Sequence, residues 1–258
     1  MNALKEFYND VENSIKKMGS EQELKKVVNQ FMELTGSHKY SYNFSHLGRP
    51  IIQYPQDIVA VQEMIWEVRP DLIIETGIAH GGSLILSASM LAMLDMCEAI
   101  DTGMVIDPAK SKRKVIGIDI DIRDHNRVKI EAHPMYSRIE MLEGSSTEKG
   151  VVTRVQKIAS EFNTVMVFLD SNHTHEHVLN ELQIYAPLVS LGSYCVVFDT
   201  ILEDLPDILP GRPWNKENNP KTAVRQYLKN HPEFEVDHRL QNKLLVTVAP
   251  EGYLKRVR

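Results

Sequence analysis

The run Leu72-Ile73-Ile74-Glu75-Thr76-Gly77-Ile78-Ala79-His80-Gly81-Gly82-Ser83 decides the architecture. An apolar triplet without polar alternation suits a strand covered on both faces of a parallel sheet. A long apolar stretch with helical patterning follows over 82–97, so the glycines mark a strand-to-helix turn. Gly77 permits a tight bend, and Gly81 and Gly82 would let the helix N-terminus come near a bound group. No Gly-Lys-Ser/Thr follows, which excludes a phosphate-cradling P-loop, and Ala79 stands where a dinucleotide fingerprint has its middle glycine. A purely structural turn would explain the same glycines.

Working outward, further apolar runs occur at Val115–Ile118, Val165–Leu169 and Tyr194–Phe198, with a weaker one at Arg138–Leu142. Helical patterns over 123–131, 147–161 and 174–189 alternate with them. This βαβ series predicts an α/β fold, a Rossmann-like, mostly parallel sheet with right-handed crossovers. After a helix at about 221–230, the segments Glu233–Val236 and Lys243–Val248 are expected to pair as a C-terminal antiparallel hairpin. Upstream, residues 1–35 read as two amphipathic helices broken near Gly19-Ser20, residues 36–56 as irregular and aromatic, and 57–68 as a helix ending before Pro70. The expected division is an N-terminal helical extension and cap over 1–56 and one α/β domain over 57–258. The Pro- and Asn-rich stretch 203–220 is expected to be a lid loop.

Composition narrows the function classes. In 258 residues, 43% hydrophobic and 25% charged positions exclude disorder, and 13 Gly with 12 Pro exclude a collagen-like chain. A net charge of −6 argues against nucleic acid as a partner, which normally demands a basic excess. Cys97 and Cys195 are too few for a disulfide scaffold and are expected to be small buried residues. The segment Met1–Ser20 has no apolar core of a secretory signal, and the longest apolar candidate, Ser83–Met96, falls short of a membrane span. The expectation is a cytoplasmic protein with no membrane span, and the N-terminal helices suggest a homo-oligomer.

Candidate chemistry gathers at strand ends. The second strand closes on Asp119, where an acidic residue can hydrogen-bond ribose hydroxyls, with Asp121 as a possible substitute. The run Val165–Leu169 delivers Asp170, followed by His173, His175 and His177, and Tyr194–Phe198 delivers Asp199. Adjacent parallel strands lie about 4.8 Å apart, so Asp170 and Asp199 could share a cation. Oxygen ligands at an open edge suit Mg²⁺, Mn²⁺ or Ca²⁺, while the histidines keep Zn²⁺ or Fe²⁺ in view.

These residues carry a resemblance. Gly48-Arg49-Pro50-Ile51-Ile52-Gln53, Met64-Ile65-Trp66-Glu67-Val68-Arg69-Pro70, the Glu75–Ser83 turn, Val115-Ile-Gly-Ile-Asp119-Ile-Asp121 and Leu169-Asp170-Ser-Asn-His173 together resemble the cephalosporin hydroxylase-like (CmcI) family of S-adenosylmethionine-dependent methyltransferases, which includes macrolide sugar O-methyltransferases. The resemblance covers about residues 43–200 and implies a class I methyltransferase domain over 57–258. It implies that Glu75, Gly77, Gly81 and Ser83 line the methionine and ribose part of the cofactor, that Asp119 holds the ribose, and that Gly144, Ser145 and Ser146 lie near the adenine. It further implies Asp170 and Asp199 as metal-binding carboxylates and His173 as general base. The family often has Glu-Asp where this chain has Phe198-Asp199, which removes one carboxylate from the expected metal set; water, Thr200 or Asn172 could take its place. The function expected is metal-assisted O-methylation of a sugar or polyol-like metabolite, with a small molecule or glycan as substrate. A hydroxylase or oxidoreductase and a non-catalytic S-adenosylmethionine-binding subunit are the alternatives.

Overall fold

The structure is a computed structural model that describes residues 3–108, 110–205 and 212–258. Its centre is a sheet whose strands alternate between two apolar layers, as period-two geometry requires. In β6 (Val165–Leu169), Val165, Val167 and Leu169 face one layer while Met166 and Phe168 face the other. The same alternation runs through β3 (Leu72–Thr76), β4 (Lys114–Asp119) and β7 (Tyr194–Val197). Every residue of β3 and β6 is buried, which is why Leu72–Ile74 and all of Val165–Leu169 read as apolar runs without polar alternation.

Helices α3 (Pro55–Val68), α4 (Gly82–Thr102) and α5 (Asp124–Glu131) cover one face, and α6 (Lys149–Ala159), α7 (His175–Tyr185) and α8 (Pro220–Leu228) the other. With β5 (Ile139–Glu143), β8 (Phe234–Val236) and β9 (Tyr253–Arg256) the strand order is β5-β4-β3-β6-β7-β9-β8, and only β9 runs against the others, so its pairings with β7 and β8 are antiparallel. The α/β, mostly parallel expectation therefore holds.

The C-terminal hairpin is antiparallel, but its second strand is misplaced by the sequence. Residues Lys243–Val248 do not form a strand: α9 (His238–Leu244) takes their first part and the partner of β8 is β9. The Asp237 side chain accepts from Leu240 N at 2.9 Å and caps that helix, a local bond that outweighs the β-forming character of Leu245-Val246-Thr247-Val248. Within the stretch read as irregular, β1 (Phe44–His46) and β2 (Arg49–Ile51) form a small hairpin. The first two helices, α1 (Ala3–Ser20) and α2 (Gln22–Gly36), break where expected.

Helix α4 is longer than the expected 82–97 and is long and apolar enough to cross a membrane by composition. Its side chains Leu84, Ile85, Ala88, Leu91 and Leu94 are instead packed into the core. Cys195 is buried as expected, whereas Cys97 on α4 is only partly covered.

One contact sets the spacing of the central strands. Gly77 has φ +89°, and a Cβ there would overlap the backbone carbonyl of Asp170 on the neighbouring strand end. Gly77→Ala adds both a left-handed backbone penalty and a steric clash, together about 2–5 kcal/mol. The expected result is a thermal midpoint lower by about 5–15 °C in a melting experiment; a shift under about 2 °C would mean that the strands separate freely.

Candidate active site

The strands β3, β4, β6 and β7 end at one edge of the sheet, where open α/β sheets bind ligands. The glycine turn after β3 is held there by three side chains. Asp119 Oδ2 accepts from Ile78 N at 2.8 Å and Ala79 N at 3.3 Å. Arg49 donates from Nε and Nη2 to the His80 carbonyl at 2.9 and 2.5 Å, and Asn126 Nδ2 donates to the Ala79 carbonyl at 2.9 Å. The Gly-Arg-Pro block thus has a mechanical role: it clamps a turn more than thirty residues downstream. Gly82 faces the Pro50 carbonyl and Ile51, and Gly81 faces Ile130. The place a Cβ would take at both glycines is filled by the protein itself.

Glu75, Gly77, Ser83 and Asp170 line one cavity, joined by Gln53 and Asp57. Glu75 Oε1 accepts from Ser87 Oγ at 2.5 Å, and burial pushes its carboxyl up to about 7, against the opposing effect of hydrogen bonds from Ser87 and Ser83. Burial likewise lifts Asp57 to about 6, although Thr247, Tyr253 OH and Val248 N all donate to it. Gln53 Nε2 donates to Asp170 Oδ2 at 3.3 Å, while its buried Oε1 has no partner among the described residues. This is a wall of acceptors, suited to a donor-rich cationic group. Gly77, Asp119, Ser145 and Ser146 line a neighbouring cavity with His177. Gly81 and Gly144 line neither; Gly144 turns the chain at φ +146° and donates to the Asp119 carbonyl at 2.9 Å.

Asp170, His173 and Asp199 converge, with one ligand atom from each lying within 4.8 Å of the others. His173 Nε2 is 3.2 Å from Asp199 Oδ2. Burial raises the Asp170 carboxyl well above its ordinary value, and the charges of Asp199, Glu75, Glu181 and Asp57 raise it further. The two carboxylates at the floor of an open cavity fit a divalent ion whose remaining positions are taken by water or ligand, with the imidazole beside them. Thr200 and Asn172, the side chains expected to take the place of the missing carboxylate, are engaged elsewhere. Thr200 is buried and donates to the Pro250 carbonyl at 2.7 Å, and Asn172 Oδ1 accepts from Thr174. Phe198 packs edge-on to Phe168 in the core.

The three histidines separate. His175 bonds Thr222 and Gln226 and ties α7 to α8. His177 joins Ser146, Ser171 and the buried Glu181. Among the described residues, the two-histidine, one-carboxylate set of non-haem iron oxygenases is therefore not assembled at this cluster. Of the 203–220 segment, residues 206–211 lie outside the described part. In the remainder, Trp214 meets the His173 ring edge-on at 5.0 Å. Gln53, Asp57 and Trp214 escaped the sequence reading. Gln53 closes the Gly48–Gln53 block and could have been found there; Asp57 and Trp214 carried no local signal.

A family model described as rhamnosyl O-methyltransferase/CmcI matches residues 38–257. A rhamnosyl O-methyltransferase of Mycobacterium tuberculosis is 28% identical over 227 residues, spanning 85% of this chain and 83% of its own. That of Mycobacterium leprae is 26% identical and spans 85% and 88%. Among solved structures, apo CmcI aligns over 84% of this chain and 77% of its own, with a TM-score of 0.58 at 20% identity, a likeness of fold.

The raised Glu75 carboxyl has a consequence for stability. Between its ordinary value of 4.5 and about 7 the folded protein keeps a proton that the unfolded chain has released, so this group's contribution falls as pH rises through 7. Glu75→Gln should therefore melt progressively higher than the wild type as pH is raised from 5 to 8. A difference in melting temperature that does not change with pH would contradict the assignment.

Proposed function

This chain belongs to the rhamnosyl O-methyltransferase/CmcI family and is an S-adenosylmethionine-dependent O-methyltransferase; we propose that its acceptor is a sugar or polyol-like hydroxyl and that a divalent cation, Mg²⁺, assists the transfer. The observation that carries this is the convergence of Asp170, His173 and Asp199 beside the cavity that Glu75, Gly77 and Ser83 line. The names of the relatives support the sugar, and a CmcI structure described with Mg and S-adenosylmethionine, of the same fold at 18% identity, supports the two cofactors.

When bound, the cofactor supplies an electrophilic methyl group and the cation favours the deprotonated form of a neighbouring hydroxyl. The chain's own work is positioning and proton transfer. Gln53 Oε1 and Glu75 present acceptors to the amino-acid end of the cofactor, with Gly77 and Ser83 beside them. Asp119, already holding the glycine turn through Oδ2, offers Oδ1, which also accepts from the Asp121 backbone N–H at 3.2 Å, to a ribose hydroxyl. Ser145 and Ser146, after Gly144, border the adenine end. Asp170 and Asp199 hold the cation.

His173 accepts the proton of the acceptor hydroxyl. His173 Nε2 lies 3.2 Å from Asp199 Oδ2, so Asp199 stabilises the positive charge that forms on the ring when it takes the proton. Trp214 shields one side of the imidazole and excludes water from it. The 1–56 segment serves as a cap: Gly36, Tyr42 and Tyr54 line the open cavity above the acid cluster.

Production of S-adenosylhomocysteine from a rhamnosyl acceptor should require a divalent cation, stop on chelation and return with Mg²⁺. His173→Ala and Asp199→Asn should each lower kcat by about 10²–10⁴-fold. His173→Ala should leave the Kd of S-adenosylmethionine within about threefold, since His173 does not line the Glu75 cavity. Wild-type turnover in both variants would refute the assignment.

A further inference from the structure

The cavity above Asp170, His173 and Asp199 has about 480 Å³ of open volume and two kinds of charge. Its floor is acidic. Its wall carries Lys39 and Arg212, both exposed. The nearby cations Lys221 and Arg225 are already paired, with Asp204 and with Glu203 and Glu251. Lys39 and Arg212 have no carboxylate partner among the described residues; each only lies over an aromatic ring, Lys39 Nζ at 5.8 Å from Tyr42 and Arg212 Cζ at 5.4 Å from Trp214.

One further feature points at a ligand. Trp214 carries a buried indole N–H with no acceptor among the described residues, and its ring lies beside His173 in the same cavity. A buried donor left unpaired is unfavourable until an acceptor arrives. Two unpaired cations and one unpaired donor around a cavity with an acidic, cation-holding floor call for a two-ended ligand, with hydroxyls at the floor and an anion at the wall.

We propose that the acceptor is a phosphorylated sugar whose phosphate is bound by Lys39 and Arg212, with Trp214 Nε1 donating to the acceptor. This rests on the acceptor-cavity assignment made above. Arg and Lys together favour phosphate, which offers several charged oxygens to the planar guanidinium and to the point charge of the ammonium. A sugar 1-phosphate and a nucleoside diphosphate sugar share this chemistry.

The test is binding measured by calorimetry with S-adenosylhomocysteine present and divalent cations chelated, so that phosphate cannot be held by a metal. The probes are rhamnose 1-phosphate, a nucleoside diphosphate rhamnose and the neutral methyl rhamnoside. The wild type should bind at least one phosphorylated probe about tenfold or more tighter than the neutral one, and the Lys39→Met/Arg212→Met variant should lose that preference. The tighter of the two phosphorylated probes identifies the source of the phosphate. Both substitutions are at exposed side chains, and an unchanged melting temperature confirms folding. Equal binding of neutral and phosphorylated probes by the wild type, or an unchanged preference in the double variant, would overturn the proposal. Methyl transfer is scored separately with Mg²⁺ restored. A charge-dependent preference without transfer to any probe would count against the sugar methylation proposal and leave the phosphate site standing.

Discussion

The missing Cβ of Gly77 allows the rest of the site to exist. The backbone of Asp170 occupies the space where that atom would be, so the ends of β3 and β6 lie in direct contact at the carboxyl edge of the sheet. That contact places Asp170 between Gln53 on one side and Asp199 on the other. It also requires Gly77 to adopt a positive φ, which turns the chain away into α4. The turn is then fixed by Asp119, Arg49 and Asn126. A small residue at one position thus couples the cofactor wall to the acid cluster.

The price of this arrangement is electrostatic. Asp57, Glu75, Glu181 and Asp199 lie close enough to raise the Asp170 carboxyl together with its burial, and Asp57, Glu75 and Glu181 are themselves buried. Such a concentration of like charge is poorly stabilised by the protein alone. It matches ligands that bring positive charge, a sulfonium with an ammonium and a divalent ion, and those ligands should in turn stabilise the folded chain by mass action. At the opposite wall of the acceptor cavity the sign is reversed, and Lys39 and Arg212 there lack carboxylate partners among the described residues. A ligand is therefore oriented end to end by charge before any close contact forms.

Much of the fold was legible because parallel strands covered on both faces must be apolar throughout. Val165–Leu169 was read to the residue for that reason. The misplaced hairpin strand shows the limit: Lys243–Val248 has strand-like composition, but the Asp237 cap and packing against α3 and α1 select a helix at its start. The site was legible where a strand end names its residue, as at Asp119, Asp170 and Asp199. It was illegible where the contribution comes from distant chain: Asp57 is bonded to Thr247 and Tyr253, and Trp214 reaches His173 from a loop forty residues away.

By itself, the sequence determined the class of sheet, the edge at which ligands bind and the carboxylates delivered there, because each follows from local periodicity and the geometry of strand ends. Only the tertiary structure decided which of three neighbouring histidines joins those carboxylates, that Gly81 and Gly82 pack against protein, and which cations face the acceptor cavity. These are outcomes of how loops from remote parts of the chain meet, where close packing and partner availability select one arrangement among many that the local pattern allows.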